Sequence, residues 1–347
     1  MRFTASVTRH TLRFKTPART SRNTLADKTV WLLHLGYEAN PAVKGIGECG
    51  PLSGLSIDDV EGFEDQLNKV TGLLNEGFHP KELGLEQWPS IRFGLETALL
   101  DLENGGKKKI FDTPFYTSEL KLPINGLVWM APKEDMLKQA EDKIAAGYTC
   151  VKFKVGAIDF DEECRMLEAL RKKHSAFKVE IRLDANGAFS PDTVMEHLNE
   201  LKRFEIHSIE QPIRQGQWDT MAEVCAKSKI PVALDEELIG VSSNDAERLM
   251  KTIRPPYIIL KPGLLGGFEI SQRWILLAGK HNAGWWITSA LESNVGLNAI
   301  AQFTSLYPVT IPQGLGTGQL YENNFESPLK VENGYIFYQP LKSWDKF

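Results

Sequence analysis

Hydrophobic and polar positions follow two regimes along the chain, and the change falls near residue 121. Before it, alternating stretches such as Thr29 to Leu35 predict antiparallel strands, while Ile57 to Gly77 and Leu85 to Glu103 repeat apolar residues at helical spacing. This predicts an α+β unit over residues 1–120. From Leu122 onward, short β-branched runs alternate with amphipathic segments. The runs are PINGLVW (123–129), VKFKV (151–155), VEIRLDAN (179–186), SIEQP (208–212), PVALDEE (231–237), YIILKPG (257–263), WWITSALES (285–293) and VTIPQGLG (309–316). Segments such as DMLKQAEDKIAAG, DEECRMLEALRKK and VGLNAIAQFTSL lie between them. Strands separated by helices of this length are βαβ units of a parallel sheet. Eight strands with seven intervening helices predict an α/β fold, a (β/α)7β barrel or modified TIM barrel without its last helix, over 121–324. A doubly wound open sheet loses on strand count. Residues 325–347 alternate as a hairpin does around Glu332-Asn333-Gly334 and are expected to return and complete the first unit as a capping domain.

Composition narrows the function classes. The chain has 347 residues, 40 Lys+Arg against 45 Asp+Glu, and a net charge of −5. Such a mildly acidic chain with scattered charge gives no reason to expect nucleic acid as a partner. No apolar run approaches the roughly 18 residues of a membrane helix, so no membrane association is expected. The start, MRFTASVTRHTLRFK, has no apolar core of a signal peptide. Cys49, Cys150, Cys164 and Cys225 form no CxxC pair, which suits free thiols in a reducing cytoplasm. Oligomeric state is not legible.

In a parallel barrel, functional groups sit at the C-terminal ends of the strands. The polar residues ending these runs are Lys152 and Lys154, Asp184 and Asn186, Glu210, Asp235 to Glu237, and Lys261. Asp184, Glu210 and Asp235 are 26 and 25 residues apart, one βα repeat each, which sets three carboxylates side by side at one mouth. Three converging carboxylates repel one another and call for a cation. Oxygen donors without Cys or His suit Mg²⁺ rather than Zn²⁺. Lysines two apart on a strand share a face, so Lys152 and Lys154 both enter the barrel. Mutual repulsion, the cation and burial should lower the lysine pKa values towards neutrality and free an amine as base. A carboxylate substrate chelated to the cation would have its α-proton acidified. Residue types alone thus suggest proton abstraction α to the carboxylate of a small molecule.

The set VKFKVG, RLDANGAF, IEQP, ALDEE and LKPG, in this order and spacing, resembles the enolase superfamily in its muconate-lactonizing subgroup. PINGLVWM, AAGYTCVKFKVGAIDFDEE and IPQGLGTGQLY are most similar to the o-succinylbenzoate synthase family within it. The resemblance spans essentially the whole chain, including GIGECGPLSGLS (45–56) in the capping domain. It implies that Asp184, Glu210 and Asp235 bind Mg²⁺, with Mn²⁺ as a substitute. Lys154 would remove the α-proton and, in a syn dehydration, return it to the departing hydroxyl. Lys261 would stabilise the enediolate from across the substrate, and Lys152 would neutralise the bound carboxylate and tune Lys154. Asn186 would join the substrate contacts, and Thr288, Ser289 and Gly314 would hold a distal succinyl carboxylate. A loop around Arg19 to Asn23 would close over the site. The implied reaction dehydrates 2-succinyl-6-hydroxy-2,4-cyclohexadiene-1-carboxylate to o-succinylbenzoate, a step of menaquinone biosynthesis.

An N-succinylamino-acid racemase or dipeptide epimerase would use the same lysines and metal, with Lys261 trading protons on the opposite face. A silent barrel that only binds a metal or small acid is the reading from another class; a base on each face argues against it. Gly314, Gly316 and Gly318 form a GxGxG string with no following βα unit, so nucleotide binding is set aside. Trp285 and Trp286 are expected in the core or barrel wall. Cys49 is expected in a loop approaching the site.

Overall fold

The computed structural model describes residues 2–19 and 24–347. Strands β1 (Phe3–Arg19), β2 (Thr24–Tyr37) and β3 (Asn40–Cys49) form an antiparallel sheet in chain order. Helices α1 (Phe63–Glu76) and α2 (Pro89–Glu103) cover one face, where Leu33 and Leu35 meet Leu67, Val70, Leu74, Ile91 and Leu95 in one core. Both helices begin later than the periodicity predicts. The stretch before α1 is a turn ending at left-handed Gly62, and its Asp58 accepts hydrogen bonds from the Ser90 backbone N–H (2.7 Å) and hydroxyl (3.0 Å) at the start of α2. Pro89, which lacks an N–H to donate, opens α2. The sheet and α2 pack backbone to backbone, because a Cβ on Gly47 would overlap the Gly94 carbonyl.

After β4 (Leu122–Pro123), the second regime folds as its pattern predicts. Strands β5 (Gly126–Val128), β6 (Cys150–Lys154), β7 (Glu180–Asp184), β8 (Ser208–Glu210), β9 (Val232–Leu234), β10 (Tyr257–Leu260) and β11 (Gly284–Ile287) form one curled parallel sheet in chain order. Between them run α3 (Lys133–Ala145), α4 (Phe160–Lys173), α5 (Val194–Leu201), α6 (Trp218–Lys227), α7 (Ser243–Ile253), the short α8 (Pro262–Leu265) and α9 (Phe268–Lys280), followed by α10 (Asn294–Thr304). The eighth run narrows to Gln313 and Gly314, yet it is bonded on both sides. Gln313 N–H donates to Pro123 O (2.8 Å) and Asn125 N–H to Gln313 O (3.0 Å). On the other edge Gly314 N–H donates to Ile287 O (2.8 Å) and Ser289 N–H to Gly314 O (3.0 Å). These bonds close the (β/α)7β barrel.

Along β6 and β7 the pleat sends Val151, Phe153, Ile181 and Leu183 into the apolar core and leaves Lys152, Lys154, Arg182 and Asp184 on the alternate face, the barrel interior. Strands β12 (Leu329–Glu332) and β13 (Tyr335–Tyr338) make a hairpin over Asn333 (φ 52°) and Gly334 (φ 75°), the backbone a tight two-residue turn requires. The hairpin pairs with β4 at the foot of the barrel rather than with the N-terminal sheet. The flanking Phe325 and Trp344 pack against Leu32 and Ile46 of that sheet and Phe325 against His10, while Tyr338 meets the Phe115 and Tyr116 rings. Among the described residues, no helix is long and apolar enough to cross a membrane.

Candidate active site

Strand register builds the site. Lys154 pairs with Asp184 and Asp184 with Glu210, so three adjacent strands deliver functional groups at one level. Asp235 follows β9 directly and Lys261 follows β10. Lys152 Nζ donates to Glu210 Oε2 (2.9 Å) and Asp184 Oδ2 (3.2 Å). Lys154 Nζ donates to Asp184 Oδ2 (2.6 Å) and Asn186 Oδ1 (2.9 Å). From the opposite side Lys261 Nζ bonds Asp235 Oδ2 and lies 3.9 Å from Glu210 Oε1. All six of these charged side chains are buried. The structure therefore brings together every lysine and carboxylate expected from the strand ends.

Supporting groups sit just behind. Asn186 Nδ2 donates to Glu236 Oε1 (2.9 Å), fixing which end of the amide faces Lys154. Gln211 Oε1 accepts from the Asp235 and Glu237 N–H groups, both at 3.2 Å, and its Nε2 donates to Glu237 Oε2 (2.9 Å). Asn186 (φ 47°) and Gln211 (φ 38°) hold left-handed backbone, a strain that clusters at functional strand ends. Gln211 lies in the IEQP run but carries no titratable group, so sequence reasoning passes over it.

The electrostatics depart from expectation. Burial alone would lower Lys152, but the Glu210 and Asp184 carboxylates outweigh it and hold its ammonium above the usual lysine range. Lys261 is likewise lowered by burial and raised further by Asp235 and Glu210, with a net upward shift. The expected depression supposes a cation that cancels the carboxylate charge; here the carboxylates face the ammonium groups directly. Burial would raise Asp184 and Asp235, yet neighbouring lysines, Lys154 for the first and Lys261 for the second, hold both below the carboxylate range. Glu210 stands well above it, pushed up by burial and then by Asp184.

Among the described residues, no three acidic, histidine or cysteine side chains are drawn together at metal-binding spacing, since each carboxylate answers a lysine. The donor set nonetheless fits a hard divalent cation. Glu210 Oε1 is buried without a hydrogen-bond partner, between two further carboxylates and with the Lys261 ammonium 3.9 Å away, beyond hydrogen-bond reach. An oxygen in that state is costly to bury unless a cation meets it.

Above the cluster lies a cavity of about 700 Å³. Its floor holds Lys152, Lys154, Asn186 and Lys261, one wall holds Thr288, Ser289 and Gly314, and Ala18, Leu25, Leu52 and Leu55 cover it from the N-terminal unit. Thr288 Oγ1 is buried without a partner, while Ser289 Oγ bonds Thr317 Oγ1. Thr317, Trp129, Leu291 and Leu320 also line the space, and no sequence signal singles them out. Residues 20–23 of the expected closing loop lie outside the described residues; Arg19 lines the cavity. Cys49 does not approach the site: it is fully buried in the core of the N-terminal unit, and burial pushes its thiol up. Trp286 is buried in the barrel and stacks on Arg182 (4.5 Å).

An enolase C-terminal domain-like family model matches residues 135–340. An o-succinylbenzoate synthase of Desulfotalea psychrophila is 44% identical to this chain, over 95% of the chain and 98% of the relative. The crystal structure of MenC from Desulfotalea psychrophila superposes with a TM-score of 0.88 at 41% identity, covering 97% of this chain and 100% of that one. An N-succinylamino acid racemase of an Amycolatopsis species is 25% identical over 92% of this chain and 88% of its own. With the strand-end lysines and carboxylates in place beneath the cavity, the chain belongs to the enolase superfamily, in its o-succinylbenzoate synthase family.

Proposed function

We propose that this chain is a carbon–oxygen lyase that dehydrates 2-succinyl-6-hydroxy-2,4-cyclohexadiene-1-carboxylate to o-succinylbenzoate. The observation that carries the reading is the pair of lysines facing each other from opposite strands over three buried carboxylates. Asp184, Glu210 and Asp235 would hold Mg²⁺, with Mn²⁺ as a substitute. The bound cation supplies Lewis-acid stabilisation of charge developing on the substrate carboxylate. Lys154 takes the proton from the ring carbon that bears the carboxylate. The C–H electron pair forms the new ring double bond, the C–OH bond breaks, and the Lys154 ammonium protonates the departing hydroxide. Water leaves and the ring becomes aromatic. Lys261 faces the reacting carbon from the other side and supplies a fixed positive charge. Lys152 balances charge beneath the carboxylate, and Asn186 holds the Lys154 ammonium in place. Thr288 Oγ1 and Ser289 would take the distal succinyl carboxylate, as the orphaned Thr288 hydroxyl supports, with Gly314, whose N–H and C=O are already paired, leaving room beside them. The reading carries with it a division into a capping unit (1–120 with 325–347) and a barrel (121–324); the separate apolar core of the N-terminal sheet and its two helices supports the first boundary, while Ile336 and Tyr338 of the C-terminal hairpin pack in the barrel core.

The test follows loss of diene absorbance when purified protein meets this substrate with Mg²⁺ and then with a chelator. Chelator-sensitive turnover above ~10⁴ M⁻¹s⁻¹ in kcat/KM, in the range of dedicated enzymes, and its loss in Lys154→Ala would support the reading. A Lys154→Ala protein with undiminished turnover would refute it. Two lysines on opposite faces also suit two-base racemisation, so α-proton exchange of N-succinylamino acids in D₂O is the companion assay.

A further inference from the structure

The segment that links β11 to α10 carries the proposed distal contacts, and it is held from outside the barrel. Lys28 on β2 is buried and donates from Nζ to Ala290 O (2.9 Å) and Leu291 O (3.1 Å). Tyr321 OH donates to the same Leu291 carbonyl (2.6 Å). Glu48 on β3, fully buried, accepts from the N–H groups of Ser293 and Gly296, both at 3.0 Å, and so caps the N-terminus of α10. Glu292 Oε2 accepts the Ala290 N–H (2.6 Å). Between these bonds Leu291 stands at φ 63°, a backbone conformation that leucine rarely adopts. Three donors and acceptors from distant parts of the chain thus over-determine one strained residue, and its side chain faces the cavity beside Leu25, Trp129 and Leu320.

We propose that Leu291 is a specificity-determining residue, presenting the apolar wall against which the substrate's ring lies, and that Lys28 is the positioning residue that holds it there. This deepens the dehydratase reading and rests on it: the lysine cluster takes one carboxylate, Thr288 and Ser289 the other, and the carbon ring between them needs an apolar surface. Losing that surface weakens substrate recognition by the tenfold order typical of apolar pocket contacts, while the lysines that carry out the chemistry stay in place.

The experiment compares wild type, Leu291→Gly, Lys28→Met and Lys28→Arg by steady-state dehydration and by thermal unfolding. Glycine accepts the left-handed backbone without strain, so Leu291→Gly folds and isolates the wall from the clamp. Expected are a KM about tenfold higher in Leu291→Gly and Lys28→Met with kcat within about threefold of wild type, and recovery of KM in Lys28→Arg. An unchanged KM in Leu291→Gly, or a Lys28→Met protein that melts earlier but keeps its KM, would overturn the proposal. A wild type that fails to dehydrate the cyclohexadiene carboxylate sinks the functional reading alone. The same four proteins then report KM for α-proton exchange of N-succinylamino acids, where the same pattern upholds the wall and its absence removes it.

Discussion

Gly314→Ala tests whether the barrel's last seam is as tight as its hydrogen bonds suggest. A Cβ built on Gly314 overlaps Thr288 Oγ1 and lies 2.7 Å from Thr288 Cγ2 and 2.8 Å from Thr288 Cβ. Turning χ1 of Thr288 exchanges the first two atoms but cannot move the third. The backbone has little freedom to yield, because Gly314 N–H is tied to Ile287 O and Ser289 N–H to Gly314 O. Carbon atoms rest about 3.5–4.0 Å apart, so the seam must open by about 1 Å. Overpacking of this kind costs about 3 kcal/mol at the upper end of its range. At about 2.1 cal/mol/K per residue, unfolding 347 residues carries about 0.7 kcal/mol/K, so Tm should fall by about 4 °C. The same shift displaces Thr288 and Ser289, and a 1 Å misplacement can cost about 100-fold in rate. Circular dichroism melts and the diene assay read the two effects. The contact with Thr288 is checked by repeating Gly314→Ala in a Thr288→Gly background, where its cost should drop below about 1 kcal/mol if the pair couples as neighbours do. A single variant that melts and turns over like wild type refutes the reasoning.

Three further outcomes follow from the site and its surroundings. Mg²⁺ at about 100 times its Kd should stabilise the protein by about 2.7 kcal/mol, again about 4 °C in Tm. Glu210→Gln should abolish that response while raising the metal-free Tm, since burial and Asp184 make the native carboxylate unfavourable there; a persistent Mg²⁺ shift in the variant would exclude Glu210 as a ligand. Lys261→Arg keeps a cation opposite Lys154 and should retain more dehydratase activity than Lys261→Ala, whereas equal losses would point to proton transfer by Lys261 itself. Glu163, behind the loop that follows β6, accepts the Gly156 N–H at 2.6 Å, yet burial outweighs such bonds and raises its pKa from 4.5 to about 7. An acid raised in the folded state contributes stability that is full below its unfolded pKa and lost as pH rises through its folded one. Wild type should therefore lose stability relative to Glu163→Gln between about pH 4.5 and 7, and a pH-independent difference in Tm would contradict the burial argument.

What the sequence discloses and what it withholds divide along one physical line. A parallel barrel repeats one βα unit, so the 26- and 25-residue spacing of Asp184, Glu210 and Asp235 already fixes three neighbouring strand ends. The two-residue period of a strand sends Lys152 and Lys154 to one face, and the structure places both ammonium groups on Asp184. These facts are local, and periodicity reports local geometry. The hairpin's turn is local too, whereas its partner, β4, lies some 200 residues away and could not be read. Leu291 is less legible still. Its backbone angle answers to Lys28, 263 positions earlier, and nothing in SALES shows that constraint. The upward shift of Lys152 and Lys261 in the absence of a cation has the same root: a lysine's pKa depends on which charges meet it in space, and a sequence lists the charges without pairing them. The chemistry of this barrel is therefore written in its repeating strands, where register is automatic. The proposed selectivity wall rests on contacts between the barrel and the N-terminal sheet, made wherever distant segments meet. Substitutions at Lys28, Leu291 or Gly314 should weaken substrate recognition or turnover while the lysine and carboxylate motifs stay intact, so intact motifs establish the site's chemistry more firmly than its choice of substrate.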